Sequence, residues 1–201
     1  MLTPLKGRLG ATGNGADVHT PQPGDYACVQ IKWIHKRIFG KRIKLPNIMG
    51  LLIRLFTFSE YDHCFIYTGK GQIIEARPSG ASRGSLSEYE GCKIQWSTTP
   101  TTFTERGGVM EAAIRCAGIP PVAGVPYGYR DIIFLALSVW GWRPSWLLSQ
   151  VLREDRMICS QLVAFCGETA GINAWMCGQV FAQVVTPGLL AKLAEGHVFP
   201  S

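Results

Sequence analysis

The run from Tyr61 to Ala76, YDHCFIYTGKGQIIEA, leaves little freedom in how it can fold. His63-Cys-Phe-Ile-Tyr67 is made of strand-favouring residues, Thr68-Gly-Lys-Gly71 carries turn chemistry, and Gln72-Ile-Ile-Glu-Ala76 runs back, so the segment reads as a β-hairpin. A three-residue loop pairs Tyr67 with Gly71. His63 then lies directly opposite Glu75, on the same face and close enough to touch. A loop one residue longer would move Glu75 to the other face.

A second constrained stretch is Ile158-Cys-Ser-Gln-Leu-Val-Ala-Phe165. It reads as the start of a buried helix with Cys159 in the first turn and Gly171 as a stop. Cys159, Val163, Cys166 and Ala170 fall on one face at helical spacing. At a helix start, free N–H groups and the helix dipole favour negative charge, which lowers a thiol pKa and yields the reactive thiolate. The alternative is a small buried hydrophobe, since free cysteine is often buried and inert.

Around these two anchors the chain reads in order. Residues 1–20 form a loose arm, and residues 21–201 one domain, a size that supports a real core. Pro21 to Asp25 is a turn, followed by strand candidates at Tyr26–Gln30 and Lys93–Trp96. Residues 77–90, with Pro78, Gly80 and Gly84, read mostly as loop, and Gly108 to Ala117 as a helix buried through Val109, Ala112, Ala113 and Cys116. The apolar run 131–152 holds Trp140, Trp142 and Trp146. Arg143-Pro144 interrupts it, so two helices are expected rather than a transmembrane span. The Trp cluster suits a core, a substrate groove or a membrane contact. Thr186 and Pro187 make an N-cap and first-position pair for a last helix.

Charge is concentrated. The chain carries a formal +6, and between Tyr26 and Ser59 lie Lys32, Lys36, Arg37, Lys41, Arg42, Lys44 and Arg54 with no acidic residue. Ile31, Ile34 and Ile38, then Leu51, Leu52, Leu55 and Phe56, recur at helical spacing, so residues 31–58 are expected to be a basic helical insertion. It reads either as a solvated basic face or as a contact for an anionic lipid or polymer surface. No nucleic-acid motif accompanies the charges, so nucleic acid is not expected. Seven cysteines without a CxxC pair or secretory signal point to a reducing compartment, and four histidines without ligand spacing point to no metal or other cofactor.

A nucleophilic cysteine needs a base and a group that orients the base. His63 is the candidate base and Glu75 the candidate orienter for Cys159. Taken singly, a strand histidine is more often structural and a strand glutamate solvent-facing. The combination is more specific than its parts.

On these residues the chain resembles the circularly permuted NlpC-type (YiiX-like) papain-fold cysteine peptidase/amidase family. PGD at 23–25 is similar to that family's opening turn, DHCFIYTG at 62–69 to its histidine strand, and IIEA at 73–76 to the strand bearing the third polar residue. ICSQLVAF at 158–165 is similar to its cysteine helix, and VTPGLL at 185–190 to its C-terminal segment. The resemblance implies an α+β, papain-like fold with a small antiparallel sheet packed on the cysteine helix. It implies Cys159 as nucleophile, His63 as general base, Glu75 as orienting group, and the Cys159 N–H in the oxyanion hole. It also implies amide hydrolysis in a cell-wall (peptidoglycan) peptide. A cytoplasmic or virion-associated location is expected, and a wall-crossing phage particle fits the missing signal segment. Gln161 stands where the family motif often has Glu, and the NCEHF-like motif of the related lipid acyltransferases is missing. The other classes are a lipid-directed acyl hydrolase or acyltransferase at a membrane surface, and a non-catalytic binding protein that retains the fold.

Overall fold

The computed structural model describes residues 20–38, 41–99, 101–118, 124–128, 156–179 and 182–198, with isolated positions at 132, 137, 141 and 145. The expected arm, but for its last residue, and nearly all of the Trp-rich run lie outside the described residues. Among the described residues, no helix is long and apolar enough to cross a membrane.

The fold is α+β. Its main sheet is antiparallel, built from β1 (Tyr26–Gln30), β4 (His63–Gly69), β5 (Gln72–Arg77), β6 (Gly80–Ser85) and β7 (Lys93–Trp96) in the order β6-β5-β4-β1-β7. A separate hairpin joins β2 (Trp33–Ile38) to β3 (Lys41–Pro46). The helices are α1 (Ile48–Thr57), α2 (Phe103–Ala117), α3 (Cys159–Thr169) and α4 (Pro187–Ala194).

Strand alternation gives the sheet two cores. On one face Tyr26, Cys28, Cys64, Ile66 and Ile74 pack against α2, α3 and Trp175. On the other, Ala27, Val29, Phe65 and Ile73 pack with Tyr89 and Trp96. Helix α3 is therefore wrapped on nearly every side, and Trp175 presses on it so closely that a Cβ on Gly167 would come within 2.7 Å of the ring. The first turn of α4 fixes the end of the chain: Thr186 accepts the Leu189 N–H, Pro187 follows it, and the Leu190 carbonyl accepts from Tyr26 OH at 2.9 Å.

Three expectations are corrected. The insertion at 31–58 is not helical throughout: its first half is the β2–β3 hairpin, paired from Trp33↔Pro46 to Ile38↔Lys41. The isoleucine spacing suggested a helix, but Lys41-Arg-Ile-Lys-Leu45 also alternates with period two, and that period prevails. The second half is helical as expected, capped by Asn47, whose side chain accepts from the Gly50 N–H. Residues 77–90 are not mostly loop, because β6 pairs with β5 along its length before a 3₁₀ turn at Leu86–Tyr89. Glycine-rich GASRGS has low strand propensity, and the neighbouring strand overrides it. Helix α2 starts five residues earlier than expected, at a capping box of Thr102 and Glu105.

Candidate catalytic site

The β4–β5 turn determines where Glu75 goes. Lys70 and Gly71 both have positive φ, at +52° and +74°, as a two-residue type I′ turn requires. Gly69 then pairs with Gln72, a bulge follows, and Tyr67 pairs with Ile73. The register differs by two residues from the one a three-residue loop would give. Continued along the strands, it sets Phe65 opposite Glu75 and makes His63 and Glu75 diagonal neighbours. A shift of two keeps them on one face, and a diagonal pair is within reach of long side chains. His63 Nε2 lies 2.6 Å from Glu75 Oε2.

Glu75 is fully buried and multiply held. Tyr89 OH donates to the same Oε2, and Arg77 Nη2 lies 2.5 Å from Oε1 while also meeting Glu88 at 2.8 Å. Burial alone would raise the Glu75 pKa, but the bonds from His63, Arg77 and Tyr89 outweigh it and bring it down to about 2. The carboxylate is therefore charged at all ordinary pH and holds His63 through Nε2. That leaves Nδ1 as the nitrogen free to face a thiol. Tyr89 also stacks on Phe65 with ring centroids 5.3 Å apart, which closes the side of the pair away from α3.

Cys159 opens α3, as the sequence analysis expected. Gln161 determines how this helix starts. Its Oε1 accepts the Ile158 N–H at 2.7 Å, and its Nε2 donates to the Gln183 carbonyl. Ser160 Oγ donates to the Val185 carbonyl at 2.7 Å. These bonds tie the first turn to the segment before α4, so the Cys159 backbone is fixed rather than frayed. The first amides of a helix have no acceptor within it, so the start of α3 favours negative charge.

Two residues and burial act on the thiol. The Cys64 side chain, with its backbone N–H, hydrogen-bonds to the sulfur. Burial works against the thiolate, and His63 works for it by charge and hydrogen bond. The result is a Cys159 pKa well below the usual thiol value. The partner responses agree. Burial would lower the His63 pKa, but the Cys159 thiolate and then Glu75 raise it to about 10. Burial, and then its bonds to Cys159 and Cys28, push the Cys64 thiol up, so Cys64 is a donor that keeps its proton. Cys28 Sγ lies 3.3 Å from Cys64 Sγ across paired strands. The lowered Cys159 pKa and the raised His63 pKa both favour a thiolate–imidazolium pair over a neutral one. The pair is nearly enclosed, with Cys159 1% and His63 9% exposed. A cleft lined by Pro23, Tyr67, Arg83, Met110 and Ile114 lies at the turn end of the hairpin and contains none of these groups.

The structure brings Cys159, His63 and Glu75 together, and adds Tyr89, Arg77 and Cys64. Arg77 was legible, two residues past Glu75 and so on its face of the strand. Cys64 was not, because alternation sends it to the opposite face from His63, and only the helix placed over the strand start brings it to the sulfur. Tyr89 comes from a 3₁₀ turn with no periodic signal. Asp62, just before His63, accepts from the Ile31 N–H at 2.8 Å and from Asn47 Nδ2 at 2.9 Å, tying the base strand to the cap of α1.

No protein-family model matches the chain, and no curated protein matches it significantly.

Proposed function

We infer that the protein is a thiol hydrolase that cleaves an amide bond through a Cys159 acyl-enzyme. The observation that carries this reading is the buried relay in which Glu75 holds His63 at 2.6 Å and His63 faces the sulfur at the start of α3. The thiolate attacks the carbonyl carbon. The oxyanion that forms is met by the Cys159 N–H and its neighbours in the first turn, which need not reorganise to receive it. Imidazolium His63 gives its proton to the leaving amine, then as neutral imidazole takes one from the water that hydrolyses the thioester. Glu75 stays ionised throughout and keeps the ring aligned. Fixed groups of this kind support catalysis better than a flexible cysteine would, which is why the buried anchoring by Gln161 and Tyr89 favours an enzyme over an inert thiol.

The resemblance to permuted NlpC-type peptidases supports a papain-like arrangement, with the histidine hairpin preceding the cysteine helix in the chain, and a cell-wall peptide as substrate. The test is digestion of purified peptidoglycan sacculi, with release of peptides and a trapped acyl adduct on Cys159 read by mass spectrometry, against Cys159→Ala. Release that depends on Cys159 is expected. Equal release by Cys159→Ala would sink the reading, and an adduct formed on other amides but not on wall peptides would reassign the substrate.

A further inference from the structure

Helix α1 presents its apolar side to solvent. Ile48, Leu51, Leu52 and Leu55 recur at helical spacing on one side and are 65%, 57%, 39% and 63% exposed. Phe58, the left-handed C-cap at φ +48°, extends the stripe at 80% exposed. Among the described residues, these are five of the seven large apolar side chains left exposed, so the surface is a patch and not scatter.

The helix cannot roll to hide this stripe. Its inner side is specified by small groups: a Cβ on Gly50 would sit 1.8 Å from Asp62 Oδ2, and one on Gly188 of α4 would sit 2.9 Å from the Thr57 carbonyl. Ile53 fills the same inner side and is buried, and the Asn47–Asp62 bond locks the first turn. The leucines are therefore held outward by packing that any rotation would break.

The segment that carries the patch has charge of one sign. The segment 26–59 that contains α1 has seven basic residues and no acidic one, with Lys32 exposed ahead of β2 and Arg54 at the flank of the helix. The first two carboxylates after it are engaged, Glu60 by Lys93 and Asp62 by Asn47 and the Ile31 N–H.

The geometry points to α1 as an interfacial anchor that docks the protein on a bilayer rich in anionic phospholipid, with Ile48, Leu51, Leu52, Leu55 and Phe58 entering the acyl boundary and the basic segment meeting the headgroups. An apolar stripe and a basic flank together fit this occupant, and each alone would not. A polysaccharide offers the stripe nothing apolar. A second copy would set two like-charged segments against each other. Docking determines where the enzyme works and leaves open which bond it cuts. It stands independently of the thiol chemistry, because no catalytic group takes part in it.

The experiment is co-flotation of the full chain with vesicles of neutral phospholipid, alone or mixed with phosphatidylglycerol, at low and high salt. The variants are Leu51→Glu/Leu55→Glu and Lys32→Gln. Binding to anionic vesicles that weakens with salt is expected, with at least a tenfold loss for the double glutamate variant and about a fivefold loss for each basic charge removed near the surface. Cys159 alkylation and the melting temperature of both variants should match wild type, which separates lost docking from lost fold or lost chemistry. Binding unaffected by the leucine changes, absence of binding to anionic vesicles, or self-association abolished by the same changes would each overturn the assignment.

Discussion

Replacing Gly84 by alanine should disturb the His63–Glu75 pair, to which it does not belong. Gly84 pairs with Ile73 on β5, and a Cβ built there falls 2.4 Å from Glu75 Oε1 and 3.3 Å from Ile73 Cγ1. Ordinary contact needs roughly 3.4 Å, so the carboxylate must give way by about 1 Å. An exposed glutamate would swing aside. This one is fully buried, with His63 and Tyr89 on one oxygen and Arg77 on the other. The sheet order β6-β5-β4 sets Gly84 and His63 on opposite sides of Glu75, so a retreat of about 1 Å forces the carboxylate out of its 2.6 Å alignment with His63. A hydrogen bond to a charged group contributes about 1.5–3 kcal/mol, so the imidazolium loses on the order of ten- to a hundredfold of its stabilisation, and overpacking adds about 1–3 kcal/mol of global destabilisation. The assay is iodoacetamide alkylation of Cys159 across pH, with peptide mass spectrometry, beside thermal unfolding. The alkaline limb of the His63-dependent profile should move down and the melting temperature should fall. If Gly84→Ala leaves both unchanged, Glu75 is not held as described, and the argument that its buried partners orient His63 fails.

The other predictions concern the thiol and its supports. Cys64→Ala removes the largest influence holding the Cys159 pKa down and should slow alkylation near neutral pH on the order of tenfold, while Cys28→Ala should change it far less. Gln161→Leu strands the Ile158 N–H and the Gln183 carbonyl in a buried site. It should cost about 1–3 kcal/mol in chemical denaturation, with a looser, slower-reacting Cys159. Stability should respond to pH at both ends. The Glu75 pKa lies below its ordinary 4.5, so its contribution is present above that value and is lost as pH falls through about 2. The His63 pKa lies above its ordinary 6.5, so its contribution is present below that value and is lost as pH rises through about 10. Cys159→Ser should bring this alkaline limb down, because the thiolate is the chief group raising it.

The site was legible where chemistry follows a short-range period. His63 and Glu75 lie on one hairpin, and their shared face depends on parity alone, so a register error of two residues left the pairing intact. Cys159 was legible as the first residue of an apolar helix, and Thr186-Pro187 as a helix start. The parts hidden in the sequence depend on distant packing. β6 forms because β5 offers it an edge, and its Gly84 is there to clear Glu75, which propensity reads only as a loop signal. Isoleucines at 31, 34 and 38 satisfy a helix period by coincidence, while the pairing of Trp33–Ile38 with Lys41–Pro46 satisfies backbone hydrogen bonding over the same residues. The stripe on α1 was visible as helical, yet its outward direction was not. Amphipathic spacing does not say which side faces the protein, and here Gly50 and Gly188 decide it.

The central claim is that His63 and Cys159 form a thiolate–imidazolium pair. Its most direct measurement is the Cys159 alkylation rate against pH in wild type and His63→Ala. The account predicts a thiolate that titrates well below the free-cysteine value of about 8.5 and returns toward it when His63 is removed. Alkylation no faster than at the other buried cysteines, and indifferent to His63, would contradict it and leave Cys159 a structural thiol.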